Sequence, residues 1–309
     1  MQKRFAITGA TGLLGSHLVN RLVEMGQEVN VLIKDYNSKT ILNRNVTKTY
    51  GDISNKNDIE FFIQKSRPTH FIHLAAQTQA YDSLKYPYQT FYNNVIGTLN
   101  VLDSLREYED CVSIIIASSD KAYGELVGEK YFENHPLNGI YPYDASKSST
   151  DIISNSYRLT YGLPIIVTRA CNIYGIGDYN RQRLIPGIIN AYKKNEEFIL
   201  RNGGIDSREY VHVEDVVDAY LLIIDYNENH NDQGSFNISS GDSWRTIDLF
   251  NLIQDEIGSP IKHKIIKNRS LEILNQFMDS SLLINKTGWK PRFKIQDSIH
   301  EICKWYLQN

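Results

Sequence analysis

The sequence predicts an α/β fold, a doubly wound parallel sheet that carries a smaller mixed α/β lobe. Three observations predict it. Short β-branched runs alternate with helix-length segments over the first 170 residues, the pattern of βαβ units whose parallel sheet is covered on both faces. A glycine-rich loop follows the first of those runs at once. Past Asn172 the alternation loosens, and Gly175, Gly177, Pro186, Gly203 and Gly204 punctuate mixed short elements.

The elements follow in order. Residues 4–8 read as a strand, 13–25 as a helix with its apolar positions on one face, and 29–33 as the second strand; 46–50, 71–74, 113–117 and 165–168 follow as strands. We divide the chain into a dinucleotide-binding domain over 1–172 and a lobe over 173–309, with segments near 208–240, notably 211–220 and 235–238, expected to return to the main sheet. In such a sheet ligands sit at the carboxyl ends of the strands, so the residues just after each strand are the first candidates for function.

Composition bounds the function. The 309 residues are 41% hydrophobic and 22% charged, with 36 acidic against 33 basic side chains. A chain of that length holds one large domain or two smaller ones of roughly 100–200 residues. The balanced charge argues against a nucleic-acid partner or a basic membrane face. No apolar run approaches the roughly 18 residues of a membrane span. The first strand begins almost at the N-terminus without a signal-peptide pattern, and Cys111, Cys171 and Cys303 are widely spaced; a cytoplasmic protein without a metal site is the expectation. His70 and His73 flank an apolar strand and are read as packing residues.

Gly9-Ala10-Thr11-Gly12-Leu13-Leu14-Gly15 lies between the first strand and the first helix. Glycines there allow a tight turn, a close approach of backbone to a pyrophosphate, and close packing of helix on strand, while the helix N-terminus offers free N–H groups. The loop marks a Rossmann-like dinucleotide site. The second strand of an NAD protein should end in an acid that meets the adenosine ribose, yet Ile33 holds that place and Lys34-Asp35 follows. Lys34 is placed to meet a 2′-phosphate, so NAD is expected and NADP stays open, with solvated turn charges as the plain alternative. Asp52, after the third strand, either accepts from the adenine amine or caps a helix.

Tyr143 and Lys147 lie four residues apart on one helical face. A phenol of pKa about 10 is a poor base at neutral pH, and a neighbouring ammonium lowers that pKa. Ser118-Ser119-Asp120-Lys121-Ala122-Tyr123-Gly124 follows the strand at 113–117 and brings a hydroxyl, a carboxyl and an amine to the ligand edge of the sheet.

These stretches, with His73-Leu74-Ala75-Ala76, Asn94-Val95-Ile96-Gly97-Thr98, Arg169-Ala170-Cys171-Asn172-Ile173-Tyr174-Gly175 and Arg208-Glu209-Tyr210-Val211-His212-Val213-Glu214-Asp215, give the chain its resemblance. It resembles the extended short-chain dehydrogenase/reductase family, in its nucleotide-sugar epimerase/dehydratase branch. The resemblance implies that Ser119 bonds the sugar 4-hydroxyl, Tyr143 is the base, and Lys147 holds the nicotinamide ribose. Asn94 supports the site and, with Ile53, Leu74, Ala75 and Ala76, joins the glycine loop around the cofactor. Asn172 and Arg208 contact the substrate diphosphate, and Arg183 suits phosphate as another guanidinium. Gln77 and Tyr81, after the fourth strand, are read as walls of the sugar site.

Dehydratases of the branch carry an acid/base pair after that serine, and Asp120-Lys121 is similar to the CDP-glucose 4,6-dehydratase type. The implied reaction turns a nucleotide-diphosphate hexose into its 4-keto-6-deoxy product. A 4-epimerase or 4-reductase on the same fold is the alternative, and a non-catalytic dinucleotide sensor a remote one. The helical stretches 87–105 and 144–161 resemble the pair through which this family forms homodimers.

Overall fold

The computed structural model of the chain describes residues 3–43, 45–126, 128, 130–267, 273 and 275–309. Alternation builds the first half: β1 (Arg4–Thr8), α1 (Leu13–Glu24), β2 (Glu28–Ile33), β3 (Thr47–Tyr50), α2 (Lys56–Ser66), β4 (His70–His73), α3 (Ala80–Lys85), α4 (Pro87–Phe91), a π-helical turn (Tyr92–Ile96), α5 (Gly97–Arg106), β5 (Ser113–Ala117), α6 (Pro142–Tyr161) and β6 (Ile165–Ala170). The second half runs β7 (Asn172–Tyr174), α7 (Leu184–Lys194), β8 (Phe198–Leu200), β9 (Ser207–His212), α8 (Val213–His230), β10 (Ser235–Ile238), β11 (Asp242–Arg245), α9 (Thr246–Ile257), β12 (His263–Ile265), β13 (Asn275–Gln276), α10 (Ser281–Thr287) and α11 (Ile295–Gln308).

Seven strands pair in the order β10-β6-β5-β4-β1-β2-β3, and every pairing among them is parallel. The expected Rossmann-like sheet is therefore present. Its strand order reverses between β1 and β4, where doubly wound sheets open a ligand crevice. Buried β-branched residues such as Ile7, Val31, Ile72, Ile115 and Ile166 pack with Leu18 and Leu22 of α1 and Val216, Tyr220 and Ile223 of α8 on one face. Phe71, Ile114, Ile116 and Val167 meet Phe62 of α2 and Leu102 and Leu105 of α5 on the other. Burial on both faces is what makes these strands near-continuously apolar.

The stretch 208–240 departs from its expectation in part. Ser235–Ile238 does join the main sheet, parallel to β6. Ser207–His212 instead centres a separate small sheet, pairing with β7, β11 and β13, and residues 213–230 are a helix. The apolar run at 216–224 is a helical face that seals the main core, and a short apolar run does not by its periodicity distinguish strand from buried helix. Ile185, Ile188, Ile189, Phe250, Ile253, Ile299 and Ile302 form a separate core for the lobe.

Helix α6 is tied to the sheet by a buried ion pair. Arg169 on β6 donates from Nε to Asp151 Oδ2 at 2.7 Å and from Nη2 to Oδ1 at 3.0 Å, and both side chains are buried. This fork fixes the helix that carries Tyr143 and Lys147 at the level of β6, and removing one partner of such a pair costs about 3–5 kcal/mol.

Candidate active site

The glycine loop shows why each glycine is there. Gly9 has φ +73°, and a Cβ on it would lie 2.6 Å from Ala75 N and Leu74 C; one on Gly15 would lie 2.2 Å from Gly9 O. Both contacts are backbone against backbone, so nothing there can yield. A Cβ on Gly12 would meet nothing nearer than Gly9 O at 3.4 Å, so its bareness serves the open side of the loop, where Gly12 caps α1 without a side-chain bond and no acid occupies the first turn. A dinucleotide pyrophosphate fits that bare helix end.

Gly9, Thr11, Gly12, Leu13, Leu14, Gly15, Lys34, Asp52, Ile53, Leu74, Ala75, Ala76, Tyr143 and Lys147 all line one cleft of about 1070 Å³. Two of the expected cofactor residues do not. Asp35 turns away and accepts the N–H of Asn37 at 2.9 Å, as an aspartate in a turn does. Asn94 is buried behind the wall, where its Oδ1 accepts from Gln77 N at 2.7 Å and its Nδ2 donates to Ser146 Oγ at 2.9 Å. It sits in the π-helical turn, whose extra residue interrupts the regular ladder between α4 and α5. Asp52 does not cap α2, since Asn55 does so through the N–H of Asn57; Asp52 pairs with Lys34 at 2.7 Å instead.

Strand β5 and helix α6 assemble the reactive groups. Pro142 opens α6 at a position where its missing N–H is harmless, so Tyr143 and Lys147 follow on successive turns, both buried. Lys147 Nζ donates to Ala117 O at 2.7 Å, and Ser146, held by Asn94, donates back to Tyr143 O at 2.7 Å. Ser119 caps the 3-10 turn Asp120–Tyr123; its Oγ donates to Asp120 Oδ1 at 2.8 Å. Lys121 Nζ stands 4.0 Å from Asp120 Oδ2. Burial raises the Tyr143 phenol above its ordinary range, opposed by a hydrogen bond with Ser119 and reinforced by Asp120. Burial also lowers Lys147 to about 8, against the attraction of Asp151. Serine, acid, amine and phenol thus share one corner of the cleft, the amine partly exposed and the others buried.

The lobe supplies the opposite wall. Asn172, Arg183 and Arg208 all line the cleft. Asn172 Nδ2 donates to Glu209 O at 3.0 Å, Arg183 Nη1 to Asp178 Oδ2 at 3.0 Å, and buried Arg208 to Ser207 O at 3.0 Å. Gln77 and Tyr81 also line it. Among the described residues no group of three or more His, Cys, Asp or Glu is arranged to hold a metal, and no helix is long and apolar enough to cross a membrane. His70 and His73 are buried in β4; His73 lies between Thr8 and Thr98.

One acid escaped the sequence reading although its motif was read. Glu209 is buried, and its Oε2 accepts the N–H of Met278 at 2.7 Å. Burial raises it to about 7, and the charge of Asp120 adds to the rise. Below the ordinary glutamate pKa both folded and unfolded chains hold this proton. As pH rises through 4.5 toward 7 only the unfolded chain releases it, so stability is lost over that window, by about 1–3 kcal/mol at its end. Glu209→Gln keeps the acceptor and abolishes the ionisation. Denaturant unfolding should show the variant more stable than the parent at pH 8 and equal to it at pH 4; the same difference at both would contradict this.

Comparison with known proteins places this geometry. A model of the NAD dependent epimerase/dehydratase family matches residues 5–239. The chain belongs to that family. A putative UDP-glucose 4-epimerase from Methanocaldococcus jannaschii is 30% identical, with 98% of each chain aligned. A CDP-glucose 4,6-dehydratase from Salmonella typhimurium is 27% identical over 98% of this chain and 90% of its own length. The crystal structure of UDP-glucose 4-epimerase from Thermotoga maritima with UDP-glucose superposes with a TM-score of 0.90 at 27% identity, covering 98% of both chains. The chain spans about half, 48%, of an Arabidopsis thaliana trifunctional enzyme that includes a UDP-glucose 4,6-dehydratase. Dehydratases and epimerases of nucleotide sugars both stand among the relatives of this family member.

Proposed function

We propose that this chain is a nucleotide-sugar 4,6-dehydratase working through bound NAD, and that Ser119, Asp120, Lys121, Tyr143 and Lys147 carry the reaction. One observation carries the reading. An acid and an amine follow Ser119 at the cleft wall, with Lys121 Nζ 4.0 Å from Asp120 Oδ2, and Ser119, Asp120, Lys121 and Tyr143 line the same cleft.

The glycine loop, Asp52, Ile53, Leu74, Ala75, Ala76 and Lys147 would hold the dinucleotide. Its nicotinamide supplies, when bound, a reversible hydride carrier that accepts from C4 and returns hydride to C6. Tyr143, aligned by Ser119, takes the proton of the sugar 4-hydroxyl as C4 becomes a ketone. That ketone acidifies the C5 hydrogen, which Lys121 removes. Asp120 protonates the departing C6 hydroxyl, water leaves, and Lys121 returns a proton to C5 at the end. Asp120 and Lys121 act as a coupled pair, so a pH profile reports the pair and not either group alone. Asn172, Arg183 and Arg208 bind the substrate diphosphate.

A 4-epimerase needs Tyr143 and Ser119 but neither partner of that pair. The 30% identity to a putative epimerase favours this second reading. The two part on substitution. Asp120→Asn and Lys121→Met should each lower dehydration by about 10²–10⁴-fold while substrate still reduces the bound nicotinamide slowly, as absorbance will show. Full dehydration in both variants would sink the assignment. A homodimer is part of the proposal, supported by exposed Tyr88, Phe91 and Tyr92 before α5 and Ile152 and Leu159 on α6.

A further inference from the structure

Arg183 ends the stretch 175–183, which joins β7 to α7 without regular helix or strand. A guanidinium on such a stretch is aimed before a ligand arrives only where the backbone beneath it is held. The hold comes from the last helix. Tyr306 of α11 reaches into the stretch, where its hydroxyl accepts the N–H of Asp178 at 3.2 Å and shares its one proton between the carbonyls of Asp178 and Gly175, at 3.0 and 3.1 Å. Burial, reinforced by the charge of Asp178, raises this phenol above its ordinary range, so it stays a donor. Asp178 is itself buried. Its Oδ1 accepts the N–H of Asn180 at 3.0 Å and its Oδ2 accepts from Arg183 Nη1 at 3.0 Å. A continuous set of contacts therefore runs from α11 through Asp178 to a guanidinium that lines the cleft. The charge of that guanidinium also opposes the rise of the Tyr143 phenol, so its placement is felt at the reactive corner. His17 of α1 pins the same stretch at a second point, its Nε2 donating to Ile176 O at 3.0 Å.

We propose that Tyr306 is a positioning residue for substrate, which acts through Asp178 to hold Arg183 where a diphosphate meets it. Loss of the hydroxyl leaves the Asp178 N–H and the two carbonyls short of a partner, while the ring keeps its place among the apolar residues of the lobe core. Asp178 is then free to shift, and the guanidinium shifts with it. Tyr306 also borders the cleft, so direct contact with a ligand is the competing role, and a double-mutant cycle separates the two. This inference rests on the reading that Arg183 binds the substrate diphosphate, and it is independent of whether the sugar chemistry is dehydration.

The test uses the full chain and reads binding alone. The protein is titrated with CDP, UDP, dTDP and GDP by calorimetry, and the tightest binder of the four serves as the probe for Tyr306→Phe, Arg183→Gln and the double variant. Tyr306→Phe should weaken the probe about tenfold and Arg183→Gln about thirtyfold. The double variant should bind within about twofold of Arg183→Gln alone, because a hydroxyl that acts through the guanidinium has nothing left to position. Asp178→Asn, with Tyr306 intact, breaks the same link one residue further on and should lose its effect in the Arg183→Gln background in the same way. A tenfold loss on Tyr306→Phe that persists in that background assigns Tyr306 to direct contact or to general stability and overturns the proposal, as does a Tyr306→Phe protein that binds the probe like the parent. Binding of none of the four diphosphates overturns the substrate reading together with it. Binding that follows the cycle in a chain that dehydrates no sugar leaves the inference standing and sinks the dehydratase assignment alone.

Discussion

Tyr143→Phe should abolish nicotinamide reduction by substrate as well as product formation, lowering both by about 10³-fold or more, at the upper part of the range for removal of a general base. The ring remains, so its buried packing at the start of α6 is kept. What is lost is the phenol oxygen, on a ring that lines the cleft with Ser119. Burial raises the pKa of this phenol in the protein alone, so it stays protonated until a further positive charge reaches it. The variant therefore differs in kind from Asp120→Asn and Lys121→Met, which retain the first oxidation. Stopped-flow absorbance of the bound nicotinamide separates them, and a Tyr143→Phe enzyme that still reduces its cofactor on mixing with substrate would remove the phenol from the mechanism.

Gly15→Ala should be severely damaging for a single added methyl. Its Cβ would sit 2.2 Å from Gly9 O and 2.7 Å from Ala10 Cα, and neither can rotate away. Helix α1 would have to lift from β1, opening the turn that Gly9 and Gly12 form through Gly12 N and Gly9 O at 3.1 Å. Overpacking of this kind costs about 1–3 kcal/mol or more, and here it also displaces the N–H groups meant for a phosphate. Gly234→Ala is the control, since its Cβ would meet nothing within 4 Å. Thermal melting with and without added NAD⁺ should show Gly15→Ala less stable and unresponsive to the nucleotide, and Gly234→Ala like the parent. A Gly15→Ala protein stabilised by NAD⁺ as fully as the parent would show that the loop is not the phosphate cradle.

What was legible in the sequence was what is local. The Gly9 to Gly15 turn, the Tyr143/Lys147 spacing and the Ser119-Asp120-Lys121 run each act within a few residues, and the cleft brings them together. Residues whose role depends on distant partners were not legible. Asp52 takes its partner from the turn after β2, and Glu209 owes its raised proton affinity to burial and to the charge of Asp120; Asn94 was legible as a support of the site, but not its partners Gln77 and Ser146. The stretch 211–220 was misplaced for a related reason. Its apolar residues fit a buried strand or a buried helix face, and only the contact with α1 makes it the latter.

The mass of the product decides whether this cleft dehydrates a nucleotide sugar. The purified full chain is incubated with CDP-, UDP-, dTDP- and GDP-glucose in turn, and each mixture is analysed by mass spectrometry and by absorbance in alkali. One of them should lose a single water and give a 4-keto-6-deoxy sugar absorbing in alkali. An isomer of unchanged mass, formed with Asp120 and Lys121 intact, would contradict it and make this chain an epimerase.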